Sequence, residues 1–154
     1  MKLNRVRWTL ALGVLLAVLG ACATVPPAQN EDRVEELIDV INELDADRML
    51  AQSGRPFLFD SEIVPMANDV YIMWRNIYNA GFSMPNAQIE SLEPVNAETY
   101  TRYGDGDEMR AYFQRALPDD AAIARIRAQH GTFELILGDQ HNGMPAVYGL
   151  RGPL

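Results

Sequence analysis

Residues 31 to 154 predict an α+β fold, with helices and one hairpin first and antiparallel strands last. Apolar residues recur at intervals of three and four between residues 31 and 44, and again between residues 68 and 80, which indicates helices. Two apolar stretches rich in strand-forming residues lie near the end of the chain, on either side of a turn. Glycine, proline, asparagine and aspartate separate these stretches, as expected of connecting turns.

Two short helices open the predicted fold. Asn30 can cap the first, whose opening turn contains Glu31 and Asp32, because acidic side chains are favourable at the start of a helix. Asp45 is expected to cap the second. The apolar stripe of the first helix consists of Val34, Leu37, Ile38 and Ile41, with Leu44 just beyond.

A hairpin and a strongly amphipathic helix follow. Residues 56 to 64 predict two short strands around a turn at Asp60. Asn68 is expected to cap the helix, and Gly81 to end it in the left-handed conformation with Phe82 packed back on its last turn. The apolar stripe of this helix, which we expect to face the core, is Val70, Met73, Trp74, Ile77 and Tyr78.

The middle of the chain gives weaker signals. Residues 87 to 103 indicate one long bulged strand or two short ones. Asp105 and Glu108 form an Asp-x-x-Glu capping box, which predicts a helix that Pro118 would end. Residues 121 to 128 are ambiguous, because alanines interrupt an otherwise strand-like stretch.

The sequence predicts side-chain direction most clearly for the last two strands. Residues 132 to 137 and 146 to 150 predict a hairpin with its turn between residues 139 and 143. Since side chains alternate along a strand, one face of the first strand carries Phe133, Leu135 and Leu137 and should meet the helices. The other face carries Glu134, which we expect to be a surface residue that tolerates substitution by arginine.

The first 22 residues have the order of an export leader. Three basic residues precede an apolar run from Trp8 to Leu19 that is too short for a membrane-spanning helix, which needs about 20 residues. Leu19-Gly20-Ala21-Cys22 resembles the bacterial lipobox, and the resemblance implies that residues 1 to 21 are removed and that Cys22 receives lipid. Ala23, where an aspartate would favour the inner membrane, implies anchorage to the outer membrane facing the periplasm.

The chain that remains after residue 21 is strongly acidic. It keeps ten of the 13 basic residues beside all 21 acidic ones, a net charge of −11. Such a surface repels nucleic acid and anionic head groups. Residues 22 to 30, with two prolines, predict an extended tether of at most about 25 Å. Residues 31 to 154 are long enough for one domain, and Cys22, the only cysteine, excludes an internal disulfide.

The order of the predicted elements resembles the nuclear-transport-factor-two-like family, which includes the ketosteroid isomerases. The resemblance covers residues 31 to 151 and rests on that order and on Pro56-Phe57-Leu58-Phe59-Asp60 followed by the helix of Trp74. It implies a curved antiparallel sheet wrapped around helices as a cone, with residues 121 to 128 as a strand, and an apolar pocket. We expect its lining to include Trp74, Tyr78, Phe133, Leu135 and Tyr148. A plain α+β sandwich with helices on one face is the alternative.

Signals for catalysis or metal binding are sparse. Asp105, Asp107 and Glu108 lack the spacing of a calcium loop and are better explained as a helix start. His130 and His141 are expected to be solvated turn residues, since no cysteine or His-Glu-x-x-His pattern joins them into a zinc site. The sequence therefore predicts no metal site and no cofactor.

Three functions remain open at this point. The first, which the sequence favours, is a non-catalytic domain that binds a small apolar ligand or a partner protein in the envelope. The second is a proton-transfer enzyme or hydrolase, for which the residue types present are Asp60, Glu62, Tyr71, Tyr100, Tyr103 and Tyr148, none with an assignable role. The third is a structural envelope subunit. A homodimer is compatible with each of them.

Overall fold

The computed structural model describes residues 25 to 154. These residues form an α+β structure with one six-stranded sheet and four α-helices, so the predicted α+β class is confirmed. The predicted leader, residues 1 to 21, and Cys22 lie outside the described residues.

The elements follow the predicted order. The helices are α1 (Glu31–Asn42), α2 (Ala46–Gln52), α3 (Ala67–Asn79) and α4 (Asp107–Ala111). The strands are β1 (Ser53–Phe59), β2 (Glu62–Val64), β3 (Gln88–Pro94), β4 (Ala122–Ala128), β5 (Gly131–His141) and β6 (Met144–Arg151). Short 3-10 turns cover Pro27–Gln29 and Thr99–Arg102, and a π-helical turn covers Tyr112–Ala116. The first of these turns lies within the predicted extended tether and its Ala28 is buried in the core, so folded structure begins before residue 31.

The strand order in the sheet is β2-β1-β6-β5-β4-β3. Neighbouring strands are antiparallel except for β1 and β6, which run parallel. The sheet is mixed rather than wholly antiparallel as expected, because β1 joins it beside the last strand, β6, and runs parallel to it. The ambiguous residues 121 to 128 contain β4, which joins β3 to β5, because pairing on both sides outweighs the low strand preference of its alanines.

Several predicted helix ends are confirmed. The Asn30 side chain accepts a hydrogen bond from the N–H of Arg33 at 3.4 Å, and Asp45 caps α2. Gly81 has φ +89°, and the N–H of Phe82 donates to the carbonyl of Ile77 at 2.9 Å, as in a glycine-terminated helix.

Two predicted caps are wrong. Helix α3 begins at Ala67 after Met66, so Asn68 lies inside its first turn and caps nothing. Helix α4 begins at Asp107 after the extended Gly106, which moves the start one residue beyond the position that the Asp-x-x-Glu box requires. In both cases the helix starts where the chain leaves an extended segment, and a residue without a capping side chain occupies the boundary.

The strands of the last hairpin run further than predicted. Strand β5 continues to His141 and β6 begins at Met144, which leaves a two-residue turn of Asn142 and Gly143, both with positive φ. Asn-Gly is the preferred sequence for such a turn. The predicted turn between residues 139 and 143 was too wide, because a bulge near Gly138 lets the strand continue through polar residues.

The sheet is buried on both faces. The inner face packs against α1, α2 and α3, and it carries Phe133, Leu135 and Leu137 as predicted. The outer face lies beneath residues 95 to 117, whose aromatic side chains cover Ile123 and Ile136. Glu134 points to this covered face and is only 2% exposed, so the expectation that it is a surface residue is wrong. Glu134 is buried because the irregular segment after β3 covers this face, and the sequence of β5 alone does not indicate that cover.

Candidate functional site

An apolar pocket of about 430 Å³ lies at one end of the inner face, where β1 and β6 end and β5 begins. We call it the end pocket. Its apolar side chains are Phe59, Ile77, Phe82, Phe133, Leu150 and Pro153. Its remaining lining is formed by Ala80, Gly81, Ser83, His130 and Gly152.

The end of α3 shapes one wall of the end pocket. Gly81 ends the helix and turns Phe82 back towards the sheet, where its ring meets Phe133 edge-on with centroids 5.4 Å apart. Phe82 also packs on Trp74 and Tyr78, at 6.5 and 6.3 Å between centroids. The wall is therefore continuous with the core, which holds it in place.

The C-terminal residues form the opposite wall. The N–H of Gly152 donates to the Asp60 carboxylate at 3.1 Å, and the N–H of Leu154 donates to the carbonyl of Thr132 at 2.9 Å. Between them Pro153 lies so close to Gly131 that a Cβ there would stand 2.6 Å from the proline ring. Glycine at position 131 thus allows the chain terminus to cross the start of β5 and close the pocket on that side.

The polar groups of the end pocket lie on neighbouring loops. Ser83 follows Phe82, and His130 is in the turn between β4 and β5. The two loops are connected, since the N–H of Gln129 donates to the carbonyl of Pro85 at 3.4 Å. The first loop is also held by α1, because the Asn42 side chain donates to the Met84 carbonyl at 3.1 Å and accepts from its N–H at 2.7 Å.

The residues predicted from the sequence to line a pocket are only partly together. Phe133 lines the end pocket, whereas Trp74 and Leu135 are fully buried in the core behind it. Tyr78 is not among the lining residues and stacks on Phe82. Burial, followed by the charges of Asp45 and Glu43, raises the pKa of its phenol well above the ordinary value. Tyr148 packs on the outer face and donates to Asp139 at 3.0 Å; burial and this partner raise its pKa to about 12.

A buried charged cluster is the main feature that sequence reasoning missed. The Glu134 cluster consists of Glu134 and three arginines, with N–O distances of 2.5 Å to Arg102, 3.5 Å to Arg125 and 3.7 Å to Arg151. Arg151 also lies over the ring of Tyr103, 5.2 Å from its centroid. Arg125 and Arg151 lie directly opposite Glu134 on β4 and β6, so strand register accounts for these two. Arg102 comes from the irregular segment after β3, and no local pattern could have predicted its contact with Glu134.

Electrostatics within the Glu134 cluster are strong. Burial lowers the pKa of Arg102, but its hydrogen bond and charge interaction with Glu134 outweigh that effect and raise the pKa above the ordinary value. Burial, followed by the charge of Glu134, raises the pKa of Tyr103. The Tyr103 hydroxyl and Oε2 of Glu134 are buried without a partner in normal hydrogen-bond geometry. The cluster therefore keeps Tyr103 protonated and Arg102 charged.

The carboxylates and tyrosines considered for proton transfer are absent from the lining of the end pocket, as far as residues 25 to 154 define it. The carboxylate and tyrosine that burial does bring together are Glu134 and Tyr103, on the outer face and ringed by arginine. Within the described part of the chain, no three His, Cys, Asp or Glu side chains are grouped as a metal site would require. No helix between residues 25 and 154 has the length and apolarity of a membrane span.

Comparison with known proteins adds no information about function, so the proposal below is based on this geometry. The chain matches no protein-family model, no curated protein and no solved structure.

Proposed function

We propose that this chain is a membrane-anchored envelope lipoprotein whose folded part binds a small apolar molecule in the end pocket. The end pocket itself is the observation that carries the proposal, because its volume of about 430 Å³ and apolar lining are typical of small-molecule sites.

The end pocket supports binding more than catalysis. A proton-transfer site of the ketosteroid-isomerase kind needs a carboxylate in an apolar environment near a tyrosine. The lining residues of the end pocket include neither. The rest of the inner face is packed, with Leu37, Ile41 and Trp74 completely buried, so a ligand would occupy the end of the sheet rather than its centre.

A cone-shaped sheet is also part of the proposal. Bulges interrupt β1, β3 and the β5–β6 pair, and bulges bend strands and increase their twist. Helices α1, α2 and α3 pack against one face of this sheet, as the resemblance to the nuclear-transport-factor-two-like family implies.

The proposed anchor and the end pocket are compatible in space. The end of α1 is fixed beside the pocket by Asn42, whereas its start follows the 3-10 turn of Pro27–Gln29. Since α1 has 12 residues, its start lies about 18 Å from that end. A lipid on Cys22, inserted in the inner leaflet of an outer membrane, would leave the mouth of the pocket open to the periplasm.

Binding can be tested with N-phenyl-1-naphthylamine, an uncharged apolar fluorophore. Trp74 is the only tryptophan after Cys22 and its ring contacts Phe82, so energy transfer from Trp74 reports probe in the pocket. We expect Ala80→Phe, which fills the pocket, to weaken binding roughly tenfold, the effect of about 1.4 kcal/mol. Ala51→Phe, an equally exposed change on α2, is the control. Equal binding by both variants would contradict the site.

The anchor can be tested separately by metabolic labelling with an alkyne fatty acid. Cys22→Ser should abolish labelling and membrane association, since the chain has no other cysteine. Ala23→Ser, which keeps the acceptor thiol, should label as the native chain does. Labelling that persists in Cys22→Ser would overturn the anchor but not the pocket.

A further inference from the structure

The polar groups of the end pocket lie on one side of its mouth. Ser83 and His130 are on loops joined by the hydrogen bond from Gln129 to Pro85, whereas the facing walls are Phe59, Leu150 and Pro153. Both side chains can donate a hydrogen bond: serine through its hydroxyl, and histidine through a ring N–H in either protonation state. The pocket therefore combines an apolar body with a rim of two donors.

The charges around the pocket indicate which ligand groups Ser83 and His130 can bind. Among the described lining residues, His130 is the ionisable side chain, and no carboxylate is present to pair with a cationic group. Asp60, on the adjacent turn, already accepts the N–H of Gly152. The net negative charge of the remaining surface is screened over about 8 Å in physiological salt, so the contacts at the rim decide which charge is accepted.

We infer that the ligand of the end pocket is a soluble anionic amphiphile, with its apolar part against Phe82 and Phe133 and its carboxylate or similar acceptor held by Ser83 and His130. This inference rests on the proposed binding function. The ligand is a free molecule rather than a phospholipid, because a pocket of about 430 Å³ holds one short apolar group and not two long acyl chains. Specificity then comes from the rim, and affinity from the apolar walls.

Two probes with the same ring system test the inference. N-Phenyl-1-naphthylamine is uncharged, and 8-anilinonaphthalene-1-sulfonate adds one sulfonate. Binding of both to the lipidated chain in nanodiscs of zwitterionic phospholipid is read by energy transfer from Trp74, with empty nanodiscs subtracted. His130→Ala and Ser83→Ala should each weaken the sulfonate probe roughly tenfold, as expected for a hydrogen bond to a charged group, and leave the uncharged probe within about twofold.

The second histidine supplies a matched control. His141 is exposed at the β5–β6 turn, outside the end pocket, so His141→Ala should change the binding of neither probe. Equal losses of both probes in His130→Ala, or no loss of the sulfonate probe, would overturn the inference while the uncharged probe still supports the pocket. Displacement of the sulfonate probe by anionic phospholipid would overturn the free-amphiphile assignment. If neither probe binds the native chain, the proposed function falls together with this inference.

Discussion

The two faces of the sheet are both buried, but by different kinds of contact. The inner face is covered by aliphatic and aromatic side chains of α1, α2 and α3. The outer face combines an aromatic group, including Tyr112 and Phe113, with the Glu134 cluster. Apolar packing has no required direction, whereas a buried carboxylate needs partners at fixed positions.

The difference also shows in the pockets of the described residues. The end pocket on the inner face has mainly apolar walls, whereas a pocket of about 530 Å³ beside the Glu134 cluster is lined by Asp60, Tyr103 and Arg151. Separation of the arginines of the Glu134 cluster would leave a buried charge unpaired. We therefore expect ligand binding to depend on the inner face and rigidity on the outer face.

The largest loss of stability is expected from a substitution that disrupts the inner face. Leu135→Arg places a charge among fully buried apolar residues and should cost several kcal/mol, enough to unfold the chain. Gln140→Arg on the same strand is exposed and should change stability by less than about 0.5 kcal/mol. Thermal melts measure both. A folded Leu135→Arg would show that the inner face is not the main core.

Removal of one inner-face aromatic should have the next largest effect. Trp74 is completely buried against Phe57, and its indole N–H donates to Ser53 at 3.0 Å. Trp74→Ala should lower the free energy of unfolding by about 3 to 5 kcal/mol, as other large aromatic truncations do. Urea denaturation provides the measurement, and a loss below about 1 kcal/mol would place Trp74 outside the core.

The outer face is tested by removal of its buried charge with little change of shape. Glu134→Gln should cost about 1.5 to 3 kcal/mol, the range for hydrogen bonds to charged groups, because the arginine heads left behind can still reach water. Glu90→Gln is the comparison, since Glu90 pairs on the surface with Arg127 and with Arg125, which it shares with the Glu134 cluster, and its loss should be clearly smaller. Equal losses in urea denaturation would show that burial of Glu134 contributes nothing.

The smallest expected effect is on the pH dependence of stability in alkaline solution. The folded pKa of Tyr148 is about 12, above the unfolded value of 10, so its protonated form is the one that folding favours. This contribution is complete below pH 10 and is lost as the pH rises towards 12. Tyr148→Phe, which cannot ionise, should therefore show a shallower fall in unfolding free energy between pH 10 and 12. An unchanged slope would contradict the raised pKa.

Local chemistry predicted the parts of the fold that depend on neighbouring residues. The caps at Asn30 and Asp45, the end of α3 at Gly81, and the inner direction of Leu135 all follow from short patterns and are confirmed. The wrong caps at Asn68 and Asp105 differ from the structure by only one or two residues, as helix boundaries often do.

Long-range contacts were beyond the reach of those patterns. Glu134 is buried because the segment after β3 covers the outer face and brings Arg102, 32 positions away along the chain, into contact with it. The wall of the end pocket likewise depends on Pro153 crossing Gly131. Only the Gly81-Phe82 ending of α3 gave a local signal for a pocket residue, and Phe133 was the one lining residue named in advance.

Native mass spectrometry of the chain extracted from its host membrane tests the central claim most directly. We predict a chain that begins at Cys22, carries the mass of its acyl groups and holds one additional small molecule whose occupancy falls in the Ala80→Phe variant. A chain that retains residues 1 to 21 without acyl groups, and that carries no bound molecule in its native form, would contradict the account.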